Sequence, residues 1–249
     1  MVMNDALSSL TFFLERLRKF PVSEALTLGN SGGFCVSTNN EFENWVYFPE
    51  RVTEADTVDM AAGFFRERNE TFMWPVYDGG GEILREAGLL HAGHLEAMGF
   101  DSSRPVTHRG NNAVTLRRIT RETCGEWAGC LWSAFDYGSG EPSREYCALV
   151  EALCDDAAMS LYVAELEGRD AGGFLLTDEP RLTGVYYFGV KTEFRRKGVA
   201  SAMMSGVCEI SGGKKIVLQS TPEGVPFYEA FGFDDWGAVE VYSTVEDIF

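Results

Sequence analysis

The chain has 249 residues, long for one average domain and sufficient for two small ones. It carries 38 Asp and Glu against 21 Lys and Arg; the net charge of −17 argues against a nucleic-acid or anionic-membrane partner and leaves amines open. An apolar fraction of 45% without an apolar run near roughly 18 residues describes a globular chain and no membrane-spanning helix.

The N-terminal stretch MVMNDALSSLTFFLERLRKF has an acid at Asp5 and no basic start before an apolar run, so it does not read as a signal peptide, and a cytoplasmic location is expected. The six cysteines, at 35, 124, 130, 147, 154 and 208, form no Cys-x-x-Cys pair and have no histidine at zinc spacing. They are expected to be free thiols in a reducing compartment, mostly buried.

In the first half, FENWVYF (42–48) is strand-like, ADTVDMAAGFFRERN (55–69) helical and TFMWPVY (71–77) a strand. EILREAGLLHAGHLEAMGF (82–100) has apolar residues at helical spacing and reads as a helix ending in Gly99-Phe100. The polar, turn-rich segment FDSSRPVTHRGNNAV (100–114) then suggests a break, giving domains 1–110 and 111–249, both acidic. His91 and His94 would lie three apart on that helix, with His108 besides. No third ligand presents itself, and no metal is expected.

The second half begins with a strand in AVTLRRI (113–119) and a helix opening at Thr120, Thr123 and Glu126. A second helix covers 143–159. Strands at 161–168 and 172–178 read as a hairpin around Arg169-Asp170. A third strand follows at 183–191, a helix from Val199 to Ile210, a buried strand at 214–221, a short helix at 225–233 and a last strand at 238–245. The first half repeats the tail of this order more faintly. Its Gly99-Phe100 echoes the Gly-Phe of YEAFGF (228–233), a sign of internal duplication.

Against the acidic background, Lys191, Arg195, Arg196 and Lys197 crowd together just before Gly198, Val199 and Ala200, where the helix begins. Free N–H groups at a helix start, the helix dipole and added cations together suit a phosphate. A glycine there would let the ligand approach the backbone, and Gly198→Glu is expected to abolish binding while leaving the fold intact. A solvated basic turn is the plainer alternative. Neither the Walker nor the dinucleotide fingerprint is present.

The run VKTEFRRKGVA (190–200) resembles the acyl-CoA-binding motif of the GNAT superfamily of N-acetyltransferases, Arg/Gln-x-x-Gly-x-Gly/Ala, matched by Arg195, Gly198 and Ala200. LQSTPEGVPFYEAFGF (218–233) resembles the family's following strand and helix. The resemblance covers about 113–249 and implies an α/β (α+β) fold, a GNAT-like mixed central sheet flanked by helices. With the faint repeat, it suggests two tandem GNAT-like units. The first is degenerate, because its equivalent turn FPERVTEADTVD (48–59) has no glycine and carries Glu50, Glu54, Asp56 and Asp59.

The resemblance further implies that the strands at 183–191 and 214–221 splay to admit the pantetheine of acetyl-CoA. Backbone groups of Phe188 and Val190 would bind it, and the segment Arg195, Arg196, Lys197, Gly198, Val199 and Ala200 would hold the pyrophosphate. Tyr228 stands where the family often has a tyrosine that protonates the departing thiolate; the alternative is a core aromatic among Phe227, Phe231 and Phe233. A backbone N–H near Val190 is the family-like oxyanion donor.

The strand before the turn carries no carboxylate, Glu193 reads as solvated, and the general base stays open between a water chain and other groups. Asp136 in the 132–143 loop is a candidate amine-binding group. The implied function is acetyl-CoA-dependent N-acetylation of a small-molecule or peptide amine. A non-catalytic acyl-CoA-binding or scaffold protein is the alternative. The acceptor and oligomeric state stay open.

Overall fold

The computed structural model describes residues 2–29, 32–40, 43–49, 51–77, 79–104 and 110–246. They form two compact units: Met1–Met98 with Gln219–Pro226 and Asp235–Phe249, and Gly99–Leu218 with Phe227–Asp234. His108 and Glu50 lie outside the described residues.

In the first unit, helix α1 (Val2–Leu17) turns Ala6, Leu10, Phe13, Leu14 and Leu17 inward at i, i+3, i+4 spacing. Three antiparallel strands follow, β1 (Glu24–Leu28), β2 (Gly33–Ser37) and β3 (Trp45–Tyr47), in that spatial order. The sequence reading anticipated only β3. Strand β2 is buried on both faces, so it lacks the alternation that would mark it as a strand. Helix α2 (Ala55–Arg66) packs Val58, Ala61, Phe64 and Phe65 into a core with Phe72 and Trp74, the latter on strand β4 (Trp74–Val76).

The long helix expected over 82–100 is not there. Helix α3 (Gly81–Glu86) is short, and residues 90–101 are strand β5 (Leu90–Asp101). Gly88 and Gly93 hold φ of 87° and 122°, values that end a helix rather than continue it. The apolar run Ala97–Phe100 is buried on both faces of the strand, which imitates helical periodicity. His91 and His94, three apart on a strand, point to opposite faces. His91 pairs with Glu240 and His94 lies 3.5 Å from Glu96. No metal-ligating cluster occurs among the described residues.

The second unit opens with β6 (Thr115–Arg118), then a 3-10 turn at Arg121–Thr123 closed by a capping box between Thr120 and Thr123, then α4 (Cys124–Ala134) and α5 (Arg144–Asp155). Helix α5 stops at Asp155, so Met159 begins β7 (Met159–Leu166) rather than ending the helix. The turn to β8 (Arg169–Asp178) is Glu167-Gly168, with φ of 56° and 74°; Arg169 and Asp170 are already in the strand. Then come β9 (Leu182–Val190), α6 (Val199–Ser211), β10 (Lys215–Ser220), α7 (Val225–Phe231) and β11 (Asp234–Ser243). The strand order β10-β9-β8-β7-β6 makes a mixed sheet, antiparallel except for the parallel β9–β10 pair. Strand β11 pairs antiparallel with β4, so the end of the chain returns to the first unit.

The element order β3-α2-β4-α3-β5 repeats β9-α6-β10-α7-β11. The repeat sits in a different register from the Gly99-Phe100 echo expected from the sequence. After α7, Gly232 (φ 106°) and the Phe233 N–H, bonded to Tyr228 O at 3.0 Å, close the helix. After α3 the same closure is made by Gly88 and the Leu89 N–H, bonded to Leu84 O at 3.0 Å. Leu84 therefore stands at the position of Tyr228.

Candidate functional site

The site is built on the second unit's β9. Its ladder to β10 pairs Leu182–Gly184 with Lys215–Val217 and ends there, although β9 continues to Val190. The strands diverge beyond that point. On the other edge, Lys191 N–H donates to Ala171 O at 2.9 Å, which makes Gly172–Val190 a widely spaced pair. The N–H and C=O of Val190 therefore face the edge that β10 has left, and Phe188, two residues back, shares that edge.

A bulge re-aims this segment. The β8–β9 register slips between Gly173 and Leu175, and Tyr187 takes φ 52°. A Cβ on Gly172 would stand 2.5 Å from Gly189 O and 3.2 Å from Met203 Sδ of α6, so glycine is what lets helix and strand approach this closely.

The cationic turn lies between the end of β9 and α6. Its residues are not alike. The Arg195 guanidinium donates from Nε to Val190 O at 3.1 Å and from Nη2 to Ala134 O at 3.3 Å, bracing the strand end against the end of α4. Arg196 is exposed with φ 61°. Lys197 holds its ammonium 5.3 Å from the Phe194 ring centroid. Val199 is buried and can offer only its backbone; Ala200 is half-exposed.

Gly198 caps α6 with φ 77°, and no side chain caps the helix start. A Cβ here would lie 3.0 Å from Asn111 N and 3.1 Å from its Cβ. The chain behind this glycine and its own left-handed conformation already call for glycine here. The expectation that Gly198→Glu leaves the fold intact is corrected accordingly.

Asn111, which the sequence reading assigned to a connection, is part of the turn. Its N–H donates to Gly198 O at 3.2 Å and its Nδ2 to Lys197 O at 3.1 Å. Gly110 beside it leaves no room for a Cβ, which would fall 2.0 Å from Ala202 N. The cue available in the sequence was Gly110-Asn111-Asn112 itself, but local turn propensity does not reveal a partner some 85 residues away.

Helices α1 to α5 each carry an acid in the first turn, at Asp5, Asp56, Glu82, Glu126 and Glu145; α6 and the short α7 carry none. An acid there stabilises a helix through its dipole. The absence at α6, with cations just before it, leaves the positive end of that helix available to an external anion.

Tyr228 on α7 is brought against β9: its ring centroid lies 6.0 Å from that of Phe188, 5.1 Å from Phe227 and 5.4 Å from Phe233. The ring is 8% exposed, and burial pushes the phenol well above its ordinary range, so it carries its proton at neutral pH. Both readings of this residue therefore describe the same placement, an aromatic packed in a core whose edge reaches β9.

Asp136 is exposed, with φ 57°, just past α4. Its neighbour Phe135 lies over β9: a Cβ on Gly189 would meet the Phe135 ring at 3.2 Å. Phe135 stacks on Tyr137 at 5.4 Å and is 38% exposed. This aromatic pair was missed because an exposed aromatic has no periodic signature in a sequence. Glu193 is exposed and lies 3.4 Å from Arg169. All six cysteines are free, four of them buried.

Residues 157–235 match the family model described as acetyltransferase (GNAT) domain. No curated protein matches the chain. Among solved structures, a GCN5-related N-acetyltransferase from Kribbella flavida aligns at TM-score 0.65 and 12% identity, over 96% of this chain and 95% of that one. One from Sphaerobacter thermophilus aligns at 0.61 and 15%, over 88% and 80%. A tandem GNAT protein from the clavulanic acid biosynthesis pathway aligns at 0.60 and 11%, over 97% and 94%. No helix among the described residues is long and apolar enough to cross a membrane. Residues 157–235 thus carry the sequence match to the acetyltransferase (GNAT) domain, and the chain shares the fold of these solved structures.

Proposed function

We propose that the chain is an acetyl-CoA-dependent N-acetyltransferase whose donor site is the splayed edge of β9. The observation that carries the reading is the coincidence, within one unit, of three features. They are a strand edge abandoned by its neighbour, a helix start with cations and no acid, and a buried phenol against that strand. The thioester carbonyl of acetyl-CoA supplies the electrophile. Backbone groups of Phe188 and Val190 hold the pantetheine as an added strand would be held. The N–H groups from Arg196 to Ala200 hold the pyrophosphate. Arg195 acts through Val190, fixing the strand end.

The Val190 N–H is the oxyanion donor. Tyr228 gives its proton to the departing thiolate sulfur. Its high pKa suits this only because the same desolvated surroundings raise the thiol in parallel. The amine loses its proton to water, since β9 has no carboxylate and Glu193 is exposed. Phe135 and Asp136 form the acceptor side, and the acceptor is a small-molecule or peptide amine.

Calorimetry should give about one acetyl-CoA site per chain, and thiol release should occur across part of an amine panel. No binding refutes the donor site. Binding without release from any amine supports a non-catalytic acyl-CoA-binding protein, a reading favoured by the missing carboxylate.

A further inference from the structure

The first unit has its own version of the splay. Strands β3 and β4 run parallel and meet at one bridge, Trp45 with Met73, where Val46 N–H donates to Met73 O and Met73 N–H to Asn44 O, both at 2.8 Å. Beyond it they separate, as β9 and β10 do. The space between is a cavity of about 230 Å³. Phe48, Pro49 and Val52 of the turn after β3 form one wall, and Trp74, Pro75 and Tyr77 form another. Leu84, at the position that Tyr228 holds in the second unit, also lines it. Met3, Asn4 and Leu7 of α1 cover the remaining side, and Asn4 is exposed there.

No charged residue is among the described residues that line this cavity. The helix after its turn starts with Glu54 and Asp56, both exposed, where the second unit has Arg195 to Lys197. A phosphate is disfavoured at such a helix start, because the carboxylate already occupies the dipole's positive end. What the walls offer is the half-buried rings of Phe48 and Tyr77 with Pro49, over a covered Trp74, groups suited to stacking a ring. An apolar cavity of about 150 Å³ accepts benzene, so about 230 Å³ accommodates a fused bicycle of roughly nine heavy atoms.

We propose that the first unit's cleft binds a planar aromatic compound without phosphate, making it a separate ligand site rather than a vacant acyl-CoA site. The inference stands apart from acetyl transfer in the second unit.

The test uses the full chain with methyl-labelled methionine, the Met3 resonance being assigned with Met3→Leu, and indole as the probe. The Met3 methyl should shift saturably, with Kd below about 1 mM. Asn4→Trp, at the exposed side, and Leu7→Phe should each weaken indole at least about fivefold by filling the space. Asn4 is exposed, so its replacement leaves the core intact. Coenzyme A should leave the indole-bound shift unchanged. The proposal is overturned by no saturable shift up to about 5 mM indole. It is equally overturned by full affinity in both filled variants, or by displacement of indole by coenzyme A.

Discussion

Two turns in this molecule occupy the same place in a repeated β-α-β-α-β order and have opposite chemistry. After β3, residues 48–54 lead into α2 with Glu54 at the cap position and Asp56 in the first turn. After β9, residues 191–198 lead into α6 with Arg195, Arg196 and Lys197, a left-handed Gly198 and no acid in the helix's first turn. Both helix starts lack a side-chain cap, so both present unsatisfied N–H groups. In α2 the chain supplies its own anion; in α6 that position is left for another. The two halves share element order and the closure after the second helix, and differ in the charge at one helix turn and in one side chain, Tyr228 against Leu84.

The largest expected effect tests the side-chain half of this contrast. Tyr228→Phe removes one hydroxyl from a ring packed against Phe188, Phe227 and Phe233. Turnover should fall about 10²–10⁴-fold with little change in KM, because the lost proton is needed only as the thiolate leaves. A variant keeping more than about half of its turnover, outside that range, would make Tyr228 a core residue alone.

Next is the backbone of the turn. Gly198→Ala must place a Cβ 3.0 Å from Asn111 N at φ 77°. A stability loss of about 1–3 kcal/mol is expected in denaturant unfolding. A left-handed glycine of the first unit with open space around it, Gly88→Ala, meets no atom within 4 Å at φ 87° and should lose less, strain without collision. Equal losses at both sites would show that the Asn111 latch adds nothing.

A smaller change transfers the charge from one turn to the other. Ala200 and Asp56 are both second in their helices, so Ala200→Asp copies the first unit's anion into the second. Acetyl-CoA affinity should fall at least about tenfold, while the melting temperature holds or rises slightly, since an acid in a first turn stabilises a helix. Undiminished affinity in calorimetry would separate the turn from phosphate binding.

The weakest effect per group is alkaline. Burial pushes Cys35, in the first unit, up to about 12, and Cys130 and Cys208, in the second, to about 11. The fold retains these protons where the unfolded chain releases them. Their contribution is therefore complete below the unfolded thiol value of about 8.5 and is lost as pH rises toward the folded values. The buried Tyr228 phenol acts in the same direction above about 10. Melting temperature measured from pH about 8 to about 10.5 should decline steadily; a flat profile would mean these thiols are solvated.

The sequence by itself determined the second half almost element by element. Its strands alternate or carry β-branched runs, its helices carry caps such as Thr120 with Thr123, and the charge concentrated at Arg195–Lys197 stands out against an acidic chain. It also determined the contrast between the two turns, since net charge near a helix start needs no contacts to be read. Tertiary structure decided the rest. Residues 90–101 are a strand that reads as a helix, because the run 97–100, buried on both faces, satisfies helical and extended periodicity alike. The true partner of Gly232 is Gly88, because backbone closure after a helix, not the Gly-Phe pair, defines the repeat. The role of Gly198 is set by Asn111, the Arg195 side chain is held by Val190 and Ala134, and Phe135 lies over Gly189. Each of these depends on residues distant in the chain, and local propensity carries no record of what a fold will bring alongside.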